Sequence, residues 1–346
     1  EIISKSFRNI PLKYIVWFLS RTAMVDFRLL REIIESHKNQ LASQSLRDEP
    51  IGYIGEFLFW VSKIDEEIVL EVIEKNKDEI SESFEKASIN EVKEFLSWIN
   101  LIRTNLAKKV TESLKSNLYK AISKLFESDS INGIGWFLSA IGEVNAEMAL
   151  EIVEMHKSDM SKLIEDASIN ELSEFLSGIK LVSLPVLQKM LEIHKDKIVS
   201  KSFNEAPVMY IGRFLLSIAE SGDIGPKIIE THREEIISKS FEKISLRDAG
   251  WYICGILAID FKVALKVIEK HRERISNLLK ESSLKDIEWL LSSIGGVNIK
   301  FKSIFVRKFK DIIIEKFGSV EAMPKELAEV VRNCPQKSPS SPAASC

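Results

Sequence analysis

Five histidines are the side chains of this sequence best suited to acid–base or metal chemistry, and all five share one local setting. His37, His156, His194, His232 and His271 each follow a glutamate by two residues and precede a lysine or arginine, as in Glu154–Met155–His156–Lys157. Evenly spaced imidazoles could ligate a metal or relay protons. Their spacing argues against it, because from His156 onward they recur at 38, 38 and 39 residues, one to a repeat. Stacked helices lie ~10 Å apart, too far for two such rings to share a zinc at ~2 Å per bond. Other repeats place Asn76, Leu114 and Phe309 there, and Leu and Phe can only pack. The row reads as a packing position. Cys254, Cys334 and Cys346 have neither metal spacing nor a disulfide framework. No glycine-rich phosphate loop, HExxH, GxSxG or paired catalytic acids occur. The reading is no enzyme, no metal and no cofactor.

The elements that position these residues are repeats. Ile134–Gly135–Trp136–Phe137–Leu138 has relatives around Phe18, Phe57, Phe95, Phe175, Phe214, Tyr252 and Leu290, at steps of 38 to 42 residues. Such a period marks an array of helical units. Seven residues before the aromatic marker stands Ser (Ser88, Ser130, Ser168, Ser245, Ser283) or Pro (Pro11, Pro50, Pro207). Both start helices, Ser as an N-cap and Pro because the first turn needs no N–H. Glu91, Glu171, Asp248 and Asp286 follow four of the serines by three residues, a capping-box spacing. The first helix, A, then carries apolar residues at −3, 0, +1 and +4 from the marker, one stripe. Gly at −2 (Gly55, Gly135, Gly212, Gly250) predicts a close neighbour. A second helix, B, follows, and the sequence leaves open whether it runs for about 20 residues or breaks near the His. The 42-residue step adds four residues, about one turn, between Leu114 and Ser130, expected to lengthen helix B. The fold expected is all-α, a right-handed α-α superhelix (solenoid) of about eight two-helix repeats, near 11–49, 50–87, 88–129, 130–167, 168–206, 207–244, 245–282 and 283–317. A closing helix over 318–332 and a disordered tail over 333–346 complete it.

The six tryptophans form a second row. Trp17, Trp136, Trp251 and Trp289 occupy −1, and Trp60 and Trp98 occupy +3, on the same helical face. Tyr14, Tyr53 and Tyr210 at −4 share that sector, as do Glu56, Glu94, Glu174 and Arg213 at −1. Two readings stand side by side. Either the face is a binding groove anchored by aromatics, or the indoles pack sideways on the next repeat's helix A.

Bulk properties narrow the partner. A net charge of −3 with 29% charged residues gives no basic field for nucleic acid. No apolar run reaches membrane-spanning length and no secretory signal is present, so a cytoplasmic location is expected. Enrichment in Ile, Lys and Glu with little Gln leans toward a heat-adapted prokaryote or archaeon. The N-terminal Ile2–Ile3–Ser4–Lys5–Ser6–Phe7 recurs as Ile236–Ile237–Ser238–Lys239–Ser240–Phe241, so the chain is expected to be part of a larger protein.

An antiparallel helix pair repeated every 38–39 residues resembles the tetratricopeptide/HEAT class of α-solenoids, without the tetratricopeptide signature. The phrase spanning Ser168–Ile179 is similar to degenerate helical repeats of large prokaryotic and archaeal proteins, some of which act as sensors behind a signalling NTPase module. The resemblance covers residues 1–317 and implies no site residues. The functional expectation is a non-catalytic scaffold binding a protein or peptide through the helix A face. Alternatives are a single-stranded RNA-binding repeat and a structural spacer or oligomerisation arm.

Overall fold

The computed structural model describes residue 7, residues 10–128 and residues 130–332. Residues 1–6 of the N-terminal motif and the tail with Cys334 and Cys346 lie outside the described residues. Those described form 25 α-helices and no strand, so the chain is all-α.

Helices come in threes. The first four sets are α1 (Leu12–Val25), α2 (Phe27–Ser36) and α3 (Lys38–Ala42); α4 (Ile51–Ser62), α5 (Glu66–Lys75) and α6 (Lys77–Lys86); α7 (Ile89–Asn100), α8 (Thr104–Ser113) and α9 (Lys115–Ser128); and α10 (Ile131–Val144), α11 (Ala146–Met155) and α12 (Lys157–Asp166). Then come α13 (Ile169–Val182), α14 (Leu184–Ile193) and α15 (Lys195–Val199); α16 (Val208–Ile218), α17 (Ile224–Thr231) and α18 (Arg233–Ser238); α19 (Leu246–Leu257), α20 (Phe261–Lys270) and α21 (Arg272–Glu281); and α22 (Leu284–Val297), α23 (Ile299–Lys308) and α24 (Lys310–Phe317). One further helix, α25 (Lys325–Arg332), follows.

A repeat therefore holds three helices, A, B and C, where two were expected. The second helix breaks at the histidine position in every set. The residue there, whether His, Asn, Leu or Phe, has φ between −100° and −115° and ψ between 14° and 21°. The N–H of His156 still reaches Ile152 and its carbonyl still accepts from Met160, but the turn between is lost. Leu114 and Phe309 break as His156 does, so the cause is not residue type. The break recurs at one position across four residue types, so local helix propensity does not set it. The break also redirects the inserted turn. C helix α9 has 14 residues against 10 in α6, α12 and α21, so the four extra residues lengthen helix C and not helix B.

The start signals act as their chemistry predicts. Ser88 accepts the N–H of Glu91 while the Glu91 carboxylate accepts that of Ser88. Ser168 with Glu171 and Ser245 with Asp248 repeat the exchange. Ser130 and Ser283 cap through the hydroxyl, and Pro11, Pro50 and Pro207 occupy the N-cap of their helices. Hydrogen bonds from Ser88 and Ser168 hold the Glu91 and Glu171 carboxyls below their usual range. Helix B has its own start signal: Asp26, Asp65, Asn145, Asp260 and Asn298 accept N–H bonds from its first turn.

Two compact units divide the chain. One takes in the residues up to Asp166 together with Gly178–His194; the other takes in Ala167–Ser177 and the residues from Lys195 on. Inside each, like packs on like. In the first, α1 lies on α4, α4 on α7, α5 on α8 and α6 on α9; in the second, α16 lies on α19, α19 on α22 and α21 on α24. The marker side chains close the core: Phe57, Phe95, Phe137, Phe175, Phe214, Tyr252 and Leu290 are buried, each contributing roughly 2–3 kcal/mol of apolar burial. Phe18 is only half-buried.

One set of contacts between successive repeats of the second unit reaches backward along the chain. His232 Nε2 donates to the Val199 carbonyl at 2.8 Å and His271 Nε2 to that of Ile237 at 3.1 Å. Phe203 packs against the His232 ring, and Phe241 stacks on the His271 ring at 4.3 Å. Lys239 Nζ donates to the Phe203 and Asn204 carbonyls at 2.6 Å each, satisfying groups beyond the end of an earlier helix. Its partial burial lowers its pKa.

Candidate functional site

The tryptophan row is the face with unexplained chemistry. None of its six indoles is buried: Trp17 is 60% and Trp136 38% exposed, and Trp60, Trp98, Trp251 and Trp289 are half-buried. A helix sector at −1 and +3 flanks the core stripe, so a side chain there meets a neighbouring A helix with one edge and solvent with the other. Tyr14, Tyr53, Glu94 and Glu174 are exposed, while Tyr210, Glu56 and Arg213 are half-buried.

In the first unit the row is open at Trp17 and Trp136. A trough of about 570 Å³ runs over α1 and α4, with Tyr14, Trp17, Arg21 and Met24 along one side and Tyr53 and Glu56 on the other. Arg21 lies over the Trp17 ring at 6.0 Å. Glu56 accepts the Trp60 Nε1–H at 3.3 Å. Burial raises the pKa of this carboxyl, the Trp60 bond opposes the shift and Glu94 adds to it. Phe59 carries Trp60 on one side at 4.9 Å and Trp98 of the next repeat at 5.3 Å, with Lys63 Nζ 4.4 Å from its ring. Lys93 sits over Trp136 at 5.6 Å. Two glycines let α4 approach α7: a Cβ on Gly52 would lie 2.6 Å from Glu94 Oε2, and one on Gly55 2.9 Å from Phe95 Cα.

In the second unit the row is braced. A Cβ on Gly212 would lie 2.3 Å from the Trp251 carbonyl oxygen, and one on Gly255 2.1 Å from that of Gly212. The backbones of α16 and α19 thus meet with no side chain between them. Trp251 and Trp289 rings are 5.6 Å apart, Gly250 accommodates the Trp289 ring, and Arg247 spans that indole while pairing with Asp286 at 2.6 Å.

Trp98 meets Phe59, Trp136 meets Lys93 and Trp289 meets Trp251, each on the preceding A helix, whereas the packing alternative read from the sequence placed the indoles on the following one. The sequence reading also missed Phe59, Lys93 and Arg247, which frame the indoles. For Lys93 and Arg247 a signal was present: one repeat before Trp136 and Trp289, at −2 and −5, stands a basic residue.

The histidine row behaves as packing. His156 and His194 are buried, and His156 stacks on Phe126 at 4.5 Å. Ser161 Oγ lies 3.0 Å from His194 Nδ1. Burial lowers the pKa of His271, Lys270 adds to this, and the Ile237 bond opposes it. Cys254 is buried, its thiol pushed up to about 12, which removes thiolate chemistry at neutral pH. Among the described residues no His, Cys, Asp or Glu group is arranged to hold a metal, and no helix is long and apolar enough to cross a membrane.

Comparison with known proteins gave no match: no family model, no curated protein and no solved structure matches the chain.

Proposed function

We propose that the chain is a non-catalytic helical-repeat scaffold, of the tetratricopeptide/HEAT-like kind, that binds a protein or peptide through the helix A face. One observation carries this reading: all six indoles lie in one helix A sector, and none is buried. Burying such rings against a partner releases apolar surface worth roughly 25 cal/mol per Å², and aromatics dominate interface energetics. The trough over α1 and α4 combines these aromatics with Arg21 and Glu56 at its walls, a mixture suited to a peptide's apolar side chains and its polar groups.

The test is selection of a displayed peptide library on the folded chain, followed by titration of the selected peptides into variants. Trp17→Ala and Trp136→Ala should each weaken binding at least about tenfold with melting temperatures unchanged. Selected peptides that bind both variants as well as the parent would refute a role for this face.

A further inference from the structure

One arginine of the second unit shows what a seam between successive A helices can hold. Arg247 of α19, five residues before its marker, lies over the Trp289 ring of α22 at 5.7 Å and pairs with Asp286 of the same helix at 2.6 Å. A single guanidinium thus engages an indole and a carboxylate together, as its planar fork allows.

The seam between α4 and α7 in the first unit has the acids without the cation. Gly52 stands five residues before the α4 marker and Glu94 one residue before that of α7, the places that Arg247 and Trp289 hold in theirs. The Glu94 side chain lies across this gap: a Cβ on Gly52 would be 2.6 Å from its Oε2 and 2.9 Å from its Cδ. Gly52, Glu56 and Trp60 follow one another at four-residue steps on one face of α4. Glu56 accepts the Trp60 Nε1–H at 3.3 Å, which leaves its carboxylate with lone pairs to spare. Burial raises the Glu56 pKa, the Trp60 bond opposes this and the Glu94 charge adds to it. Among the described residues no lysine or arginine pairs with either acid. Lys63 is held by the Phe59 ring and the Leu101 carbonyl, and Lys93 rests on Trp136.

We infer that the seam between α4 and α7 at Gly52 receives an arginine side chain of a bound peptide, its guanidinium paired with Glu94 and Glu56 and laid on the Trp60 indole. The inference rests on the protein-binding reading above and specifies the partner: a peptide segment anchored by arginine. Charge complementarity selects it, because two carboxylates beside an indole attract a cation and repel an acidic segment. Arginine fits better than lysine, since only the guanidinium fork meets two carboxylates and a ring at once.

The experiment uses a fluorescein-labelled peptide, Gly-Leu-Gly-Arg-Gly-Leu-Gly, and a matched peptide with citrulline, the neutral isostere, in place of arginine. Anisotropy is read as the whole chain is titrated into each. The arginine peptide should bind saturably, and the citrulline peptide at least about tenfold more weakly. Glu94→Gln and Glu56→Gln, the second of which keeps an acceptor for Trp60, should each weaken the arginine peptide about tenfold and leave the citrulline peptide unchanged. Gly52→Arg, which supplies the cation from within as α19 does, should abolish arginine-peptide binding with both acids in place. The added side chain meets only that of Glu94, and thermal melting checks that each variant folds. Absent binding, equal binding of the two peptides, or binding indifferent to both glutamine substitutions overturns the inference. If library peptides without arginine still require Trp136 while the arginine peptide does not bind, this inference fails and the broader scaffold reading stands.

Discussion

The same row of helix A positions is open in one unit and braced in the other. Around Trp17, Tyr14 and Trp136 the rings keep a free face, and the nearest cations, Arg21 and Lys93, rest on them from the side. Around Trp251 and Trp289 the rings touch each other, Arg247 is tied to Asp286, and glycines bring the backbones together. One sequence position thus serves two purposes, and what decides between them is the neighbour. Glycine at −2 and at +3 collapses the seam in the second unit. In the first, Gly55 closes α4 onto α7 in the same way, but beside the two exposed rings, Trp17 and Trp136, Val16 and Lys93 hold −2 and Arg21 and Trp98 hold +3, so bulk keeps the surface there rough and accessible.

The sharpest way to break this contrast is at Gly212. Gly212→Ala must force a methyl into the Trp251 backbone, and a loss of about 3 kcal/mol is expected from such overpacking, read as a lowered denaturation midpoint. A midpoint unchanged by Gly212→Ala would show that the seam is not closed. Removing rings comes next. Trp289→Ala should cost about 2 kcal/mol, because its ring contacts Trp251, Gly250 and Arg247. Trp17→Ala should cost no more than about 0.5 kcal/mol, because its ring is mostly in water. Equal losses would erase the distinction between braced and open.

The smallest effect is a pH dependence in the histidine row. Burial lowers the His271 pKa from its ordinary 6.5, so folding favours the neutral ring. The unfolded chain then binds more protons below about pH 6.5, and stability falls as pH falls toward and through the folded pKa. Above 6.5 the contribution is fully present. His271→Phe, which copies Phe309 at the same repeat position, should remove that part of the slope while keeping the ring stacked on Phe241. A slope identical in the variant would place the titrating group elsewhere.

Much of the local structure was legible in the sequence because it is written in local chemistry. The Ser88–Glu91 and Ser245–Asp248 pairs mark helix starts three residues apart, and the apolar stripe of helix A has the period of a helix. Substitution of His by Leu114 and Phe309 disclosed a packing site without any coordinates. The break at that site was not legible, because Leu, Phe, Asn and His all adopt it and no residue type causes it. The start signal of helix B was present in Asp26, Asp65 and Asn145 but was not used. Exposure of the tryptophans could not be read either. Trp17, Trp136 and Trp289 share one repeat position, and only the residues one repeat ahead, Lys93 or Gly250 with Arg247, set how much of the ring is covered.

The backward reach of His232, His271 and Lys239 gives the array a direction. Each of these side chains bonds to carbonyls of residues 33 to 36 places earlier, so the acceptor each one needs belongs to the preceding repeat. During synthesis the earlier repeat is always the one already available, and the order of dependence coincides with the order of emergence. Truncation from the C-terminal side of this unit removes followers and leaves these acceptors built. Truncation from its N-terminal side removes the acceptors and leaves the next imidazole without its bond. Nearest-neighbour coupling in a repeat array is ordinarily treated as symmetric; in these contacts the donor side chain belongs to the later repeat and the acceptor carbonyl to the earlier one.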